Sequence, residues 1–200
     1  MAARSERPPA PSPGRLPAGA RPGEVPRFEV RPGRLRDAAS FIEMWKQVVA
    51  ERRFVRTESV RRSKRYYRRK LFHHTWEDQQ CSIVAIDGSR VIGHLTASRE
   101  EGPVTRHVAT IGMAVARDWR GRGVGSALMS ECVRWGREMG VEKLALSVYP
   151  DNEAALALYH KFGFREEGRL GGHSKKSIGY RDEVLMGRWL VEPPQKDGAG

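Results

Sequence analysis

The run Arg120-Gly-Arg-Gly-Val-Gly125 alternates three glycines with two arginines, at the point where an apolar segment gives way to an amphipathic one. Alternate glycines let a backbone pass close to a bulky anion without side-chain interference. Before the run, Ile111 to Val115 reads as a strand. After it, Val124, Leu128, Cys132, Trp135 and Met139 fall on one stripe, the period of a helix from about Gly123 to Met139. A helix that starts there leaves its first N–H groups without intrahelical acceptors, and its dipole makes that end positive. A diphosphate satisfies both. Arg120 and Arg122 add formal charge beside the turn. The run is not a P-loop, because no Gly-Lys-Ser/Thr follows. It is a poor dinucleotide fingerprint, because Ser126 takes the third glycine position and no acidic residue ends the next strand at the required spacing. Taken alone, it also fits a strand–helix turn that merely uses glycine.

A second group of chemically able residues follows. Leu144 to Tyr149 reads as a strand, Asp151-Asn152 as the cap of a short helix, and Gly163 as its stop after Phe162. Tyr159 lies on that helix, where periodicity by itself makes it a packing aromatic.

Together these residues carry a resemblance. Arg120-x-x-Gly123-x-Gly125 resembles the acetyl-CoA signature of the GNAT superfamily of N-acetyltransferases. Leu144-x-x-x-Val148, Asn152, Ala154-Ala155, Leu158-Tyr159, Lys161 and Gly163-Phe164 are similar to that family's second signature at its usual spacing. The resemblance covers about Phe28 to Leu190; it is specific in the cofactor half and loose in the two early helices. His107-Val108-Ala109 and Tyr180-Arg-Asp-Glu-Val-Leu-Met186 resemble members that acetylate free amino acids or other small amines.

The resemblance implies acetyl-CoA as co-substrate, with no metal. It implies that the strand Met113 to Val115 splays from the strand near Leu146 to Val148, with pantetheine bonded to the Met113 and Val115 backbone. The Arg120-Gly121 turn and the N–H groups of Arg122, Gly123, Val124, Gly125 and Ser126 would hold the pyrophosphate. Asn152 would bond the pantetheine arm or else cap its helix. Tyr159 matches the position of the general acid that assists the departing thiolate, whose parent thiol has a pKa of roughly 8.5.

The general base is not legible. At pH 7 a free lysine amine is neutral in about one molecule in 2,500, and a protein N-terminus in about one in six. A lysine-like acceptor therefore needs more help in losing its proton. Glu58, Glu100 and Glu101 are candidates on loops expected near the acceptor, and His107 lies on the strand leading to the cofactor. Each also reads as an ordinary loop or edge residue, and a water chain would serve equally.

The elements that must position these residues alternate along the chain. Phe28 to Arg31 is a short strand and Leu35 to Glu51 a helix. Ser59 reads as the N-cap of a second helix running to about Thr75. On it Val60, Tyr67 and Leu71 form a packed side and Arg61, Arg62, Arg65, Arg68 and Arg69 the other. Strands Cys81 to Ile86 and Val91 to Ser98 join at Asp87-Gly88, and His107 to Val115 follows. Phe164 to Leu170 and Glu183 to Leu190 complete the sheet. This order is not that of a doubly wound sheet. The expected fold is α/β (α+β) of GNAT type, a mixed, mostly antiparallel sheet of about six to seven strands with about four helices.

Composition sets the outer bounds. Two hundred residues suffice for one domain, placed at 27–191. Residues 1–26, rich in Pro and Arg, and the polar tail 192–200 are expected to be disordered. No apolar run reaches the roughly 18 residues of a membrane span, and no apolar leader opens the chain. Cys81 and Cys132, far apart and without metal spacing, read as buried small hydrophobes in a reducing compartment, so a cytoplasmic location is expected. The net charge is +12, of which Glu51 to Lys70 alone carries a surplus of eight, ten basic residues against Glu51 and Glu58. That face could attract an acidic acceptor or RNA, with Tyr66 and Tyr67 stacking on bases. A solvated helix face is the favoured reading. A small-molecule amine is the expected acceptor, a protein amine the alternative, and a non-catalytic acyl-CoA-binding or RNA-associated module the third. The sequence leaves room for a homodimer.

Overall fold

The computed structural model describes residues 28–192. The segment 1–26 and all of the second tail but Glu192 lie outside the described residues. Edge strand β1 (Glu29–Pro32) tolerates its proline because only one side of it needs donors. A 3-10 turn at Leu35–Asp37 leads into α1 (Ala38–Ala50), and the buried Arg31 guanidinium holds Asp37 bidentately at 2.7 and 2.9 Å. Helix α1 buries Ala38, Phe41, Ile42, Met44, Val48 and Val49, one face at helical spacing. Then come α2 (Lys64–Phe72), β2 (Gln80–Asp87), β3 (Arg90–Arg99) and β4 (Val108–Val115). A 3-10 turn at Arg117–Trp119 precedes α3 (Val124–Glu138), β5 (Lys143–Val148), α4 (Glu153–Lys161), β6 (Arg165–Lys176) and β7 (Gly179–Trp189).

The seven strands lie in the order β1-β2-β3-β4-β5-β7-β6, antiparallel throughout except for β4 beside β5. This is the mixed sheet expected, with four α-helices. Successive residues of β3 show which helix covers which face. A Cβ at Gly93 would stand 2.8 Å from Val124 and 3.0 Å from Leu128 of α3, whereas His94 meets Phe41 of α1 and Phe72 of α2. Helices α1 and α2 therefore cover one face and α3 the other.

Helix α2 and the β6–β7 hairpin differ most from the sequence reading. Helix α2 starts four residues late, with the Ser63 hydroxyl accepting from the Tyr66 N–H at 3.2 Å. The Glu58 carboxylate accepts from the Ser177 N–H at 2.9 Å and hydroxyl at 2.7 Å, which holds the chain around Ser59 out of the helix. Strands β6 and β7 are longer than Phe164 to Leu170 and Glu183 to Leu190. Their extension from Gly171 to Asp182 is largely exposed and held by backbone pairing such as Ser174 with Arg181 and Lys175 with Tyr180. Apolar alternation marks only strand that faces a core, so it is silent there. Among the described residues no helix is long and apolar enough to cross a membrane.

Candidate active site

Strands β4 and β5 pair only over Val108 to Thr110 and Lys143 to Ala145, then part. Backbone parity tells which groups this leaves free, since successive residues of a strand aim their N–H and C=O to opposite sides. The even residues of β4 aim at β3: Val108 C=O accepts from Glu100 N–H, and the following Ala116 N–H donates to Ile92 C=O. The odd ones aim at β5, as His107 C=O shows by accepting from the Glu142 and Lys143 N–H groups. Met113 and Val115 thus turn their backbone groups into the gap, beyond the last paired residue. The Arg120 Nε occupies one of them, donating to Val115 C=O at 3.1 Å.

The glycine turn closes one side of this gap. Gly121 (φ 73°) and Gly123 (φ 82°) adopt left-handed backbone conformations that β-carbon-bearing residues avoid. Gly123 is the N-cap of α3 and has no side chain to offer, so nothing caps the N–H groups of Val124, Gly125 and Ser126; the Ala127 N–H is the first to find a helical acceptor, Gly123 C=O at 3.0 Å. Those free donors and the helix dipole make the turn a ready anion site. At Gly125 three elements converge: a Cβ there would stand 3.0 Å from Leu158 of α4 and 3.7 Å from Met113 of β4. The arginines are less free than the sequence suggested. The Arg120 guanidinium grips Glu51 bidentately, both bonds 2.8 Å, and Arg122 lies over the Trp119 ring.

Asn152 caps α4, its side chain accepting from the Ala155 N–H at 3.4 Å. Tyr159 follows on that helix. It is buried against Phe164, and burial alone pushes its phenol up to about 12.

The base candidates divide. Glu100, Glu101 and His107 belong to the connection between β3 and β4, at the end where β4 and β5 are still paired, and the His107 ring stacks on Trp189. They lie away from the open gap, because the strand direction carries the glycine turn to the opposite end. Glu58 lies at the open end, where the Ser177 N–H and hydroxyl hold its carboxyl below the usual range. Among the described residues no cluster of His, Cys, Asp or Glu could hold a metal ion.

The gap also has a polar wall that the sequence reading did not assign. The α1–α2 connection is fastened to the β6–β7 hairpin: Lys176 Nζ donates to Arg52 C=O at 2.8 Å and Val55 C=O at 2.9 Å, and Arg181 to Arg53 C=O at 2.9 Å. Glu183, only 1% exposed, receives Arg56 and the Ser174 hydroxyl. Burial pushes its carboxyl up, but the bonds from Arg56, Ser174 and Ser147 outweigh this and hold it at about 2. Arg181 and Glu183 sit in the Tyr180 to Met186 motif noted above. Arg56 had no signal, being one cation among ten.

The comparisons with known proteins agree with this geometry. The model of the acetyltransferase (GNAT) family matches residues 45–164. The chain is 35% identical to the L-amino acid N-acetyltransferase AaaT of Escherichia coli over 126 residues, 58% of this chain and 75% of that protein. It is 31% identical to N-alpha-acetyltransferase 30 of Schizosaccharomyces pombe over 54% of this chain and 70% of that one. Its fold matches that of a GNAT superfamily phosphinothricin acetyltransferase from Sinorhizobium meliloti in complex with acetyl-CoA, with a TM-score of 0.74 at 21% identity, covering 85% of this chain and 95% of the other. The glycine turn, the parted strands and the matched family describe one lineage: this chain belongs to the GNAT family of acetyltransferases.

Proposed function

We propose that the chain transfers an acetyl group from acetyl-CoA to the amine of a small molecule, an amino acid in particular. The observation that carries this is the conjunction of the gap between β4 and β5 with the uncapped N–H groups of Val124, Gly125 and Ser126 at its edge. Extended backbone at Met113 and Val115 suits the amide groups of a pantetheine arm, and the α3 N-terminus suits its diphosphate. Bound acetyl-CoA supplies an acyl group activated as a thioester and a thiol that leaves. Tyr159, protonated at neutral pH, donates to the sulfur as charge develops there. Over the whole reaction the ammonium form of the acceptor loses two protons, one released to solvent before attack and one as the amide forms, and the sulfur gains one.

The fastened wall supports a small acceptor. Lys176, Ser177 and Arg181 draw the α1–α2 connection against the β6–β7 hairpin, where a peptide chain would need an open groove. The test is thiol release from acetyl-CoA with a panel of amino acids and other small amines, set against short peptides. Turnover on small amines with peptides inert supports the reading; turnover on peptides alone overturns it in favour of protein N-terminal or lysine acetylation. Tight acetyl-CoA binding with no turnover on any amine would leave a sensor in place of an enzyme.

A further inference from the structure

Arg56 is held unlike its basic neighbours. Its Nε donates to Glu183 Oε1 at 2.9 Å and its Nη2 to Glu183 Oε2 and, at 2.7 Å, to Ser147 Oγ. A guanidinium has five donors. These bonds engage three and leave the pair on Nη1 without a partner among the described residues, on a side chain that is 58% exposed. A buried ion pair is a costly way to gain stability, since well-packed apolar residues often do as well. It is a good way to aim a guanidinium.

Its location fits a ligand. Ser147 lies two residues past Ala145, the last residue of β5 paired with β4. The alternation along β5 turns Leu144 toward α3, where it nears Gly136, and so turns Ser147 to the other face. Arg56 therefore stands over the open gap from the side opposite the α3 N-terminus. A thioester gripped from the α3 side would meet its amine from this one.

Tyr149 gives a second, independent sign. It is 4% exposed, and its buried hydroxyl has no hydrogen-bond partner among the described residues. Such a buried orphan is costly, and a ligand's acceptor would relieve it. Its ring lies 4.1 Å from the Arg181 guanidinium and 5.6 Å from Lys176 Nζ, and the residue follows Ser147, which Arg56 bonds, by two positions. The nearby carboxylates are all engaged: Glu183 with Arg56, Asp151 with Arg181 and Glu58 with Ser177. What remains unanswered is a donor pair and a phenol in a positive field.

We propose that Arg56 and Tyr149 bind the carboxylate of the acceptor, which makes the substrates free α-amino acids, with Glu183 as the positioning residue that aims Arg56. This rests on the acetyl-transfer reading above. It also separates the acceptor classes, since a peptide N-terminus presents a neutral amide where an amino acid presents its carboxylate.

The experiment compares amino acids with their carboxamides by thiol release at saturating acetyl-CoA, using the full chain. The native enzyme should favour the acids in kcat/KM by about 10- to 100-fold, the range of a charge-assisted pair. Arg56→Ala should collapse that ratio toward one by raising KM for the acids far more than for the carboxamides, and Arg56→Lys should restore part of it. Tyr149→Phe should shrink the ratio, and Glu183→Gln should raise KM for the acids about 10-fold with kcat kept. Damage to the fold would lower acids and carboxamides together, so the ratio reports the subsite. A native enzyme indifferent to the carboxylate, or a ratio that survives Arg56→Ala, overturns the proposal. If no amine releases thiol, the acetyl-transfer reading fails separately. Calorimetry of N-acetyl amino acids and their carboxamides, with coenzyme A present, then decides the subsite. Binding of the acids alone, lost in Arg56→Ala, upholds it, and equal or absent binding of both refutes it.

Discussion

Tyr159 and Tyr149 are both buried phenols, and burial has left them with different work. Tyr159 is held at about 12. A coenzyme thiol lies near 8.5, so handing it a proton outright would be uphill by about 5 kcal/mol. In the proposed reaction Tyr159 would therefore act by hydrogen bonding to the sulfur as charge grows, without ionising near neutral pH. Tyr159→Phe should lower kcat by about 10²-fold with coenzyme A affinity unchanged, as kinetics and calorimetry would show. An unchanged kcat would remove the role. Burial against Phe164 bears out the packing role that periodicity gave this residue, and the acid role is the one the substitution tests.

Among the elements, the start of α3 is the one proposed to hold the diphosphate. Gly123→Ala places a Cβ in a left-handed conformation at a cost of about 1–2 kcal/mol, with open space around it. Gly123→Glu adds a carboxylate where the diphosphate is proposed to sit. Calorimetry should show coenzyme A binding weakened by the first change and lost with the second, at similar melting temperatures. Helix α2 is the contrasting case. Arg65, Arg68 and Arg69 line an open cleft of about 630 Å³ with Leu35, His73 and His74, and none of the three forms an ion pair among the described residues. Like charges three and four apart cost about 0.2–0.5 kcal/mol per pair. Replacing all three by Gln should raise the denaturation midpoint slightly and leave kcat/KM for amino acids within about twofold. A large fall in activity would place this face in the acceptor's path.

For the whole molecule, acid is the informative stress. His94 is buried between Phe41 and Phe72, 2.9 Å from Ser82 Oγ, and burial pushes its imidazole down to about 3. The unfolded chain protonates this residue below about 6.5, while the folded one refuses the proton until about 3. Its stability contribution is complete above the upper value and is lost on acidification, at about 1.4 kcal/mol for each pH unit. Glu183, held at about 2, adds a loss of the same sign that begins near the ordinary carboxylate range of about 4.3. The melting temperature should therefore fall steeply from pH 6.5 to pH 4, and His94→Gln should flatten the upper part of that fall. An unaltered slope in the variant would show that another group governs it.

How much the sequence disclosed follows from how far apart the cooperating residues lie. The proposed anion site is contiguous: a strand, a glycine turn and a helix start within Ile111 to Ser126, whose geometry is written in glycine placement. The sequence by itself therefore determined the family, the glycine turn and the sheet that supports it. The wall proposed for the acceptor is joined by contacts of long range, Arg56 to Glu183 across 127 positions. Cys81 and Cys132, read as unrelated hydrophobes, likewise meet inside the core, where burial and the Cys132 thiol push the Cys81 thiol well up. Nothing local distinguishes Arg56 from the nine other cations around it. Only the tertiary structure could choose it, because the choice depends on which buried carboxylate the folded sheet brings beneath each arginine.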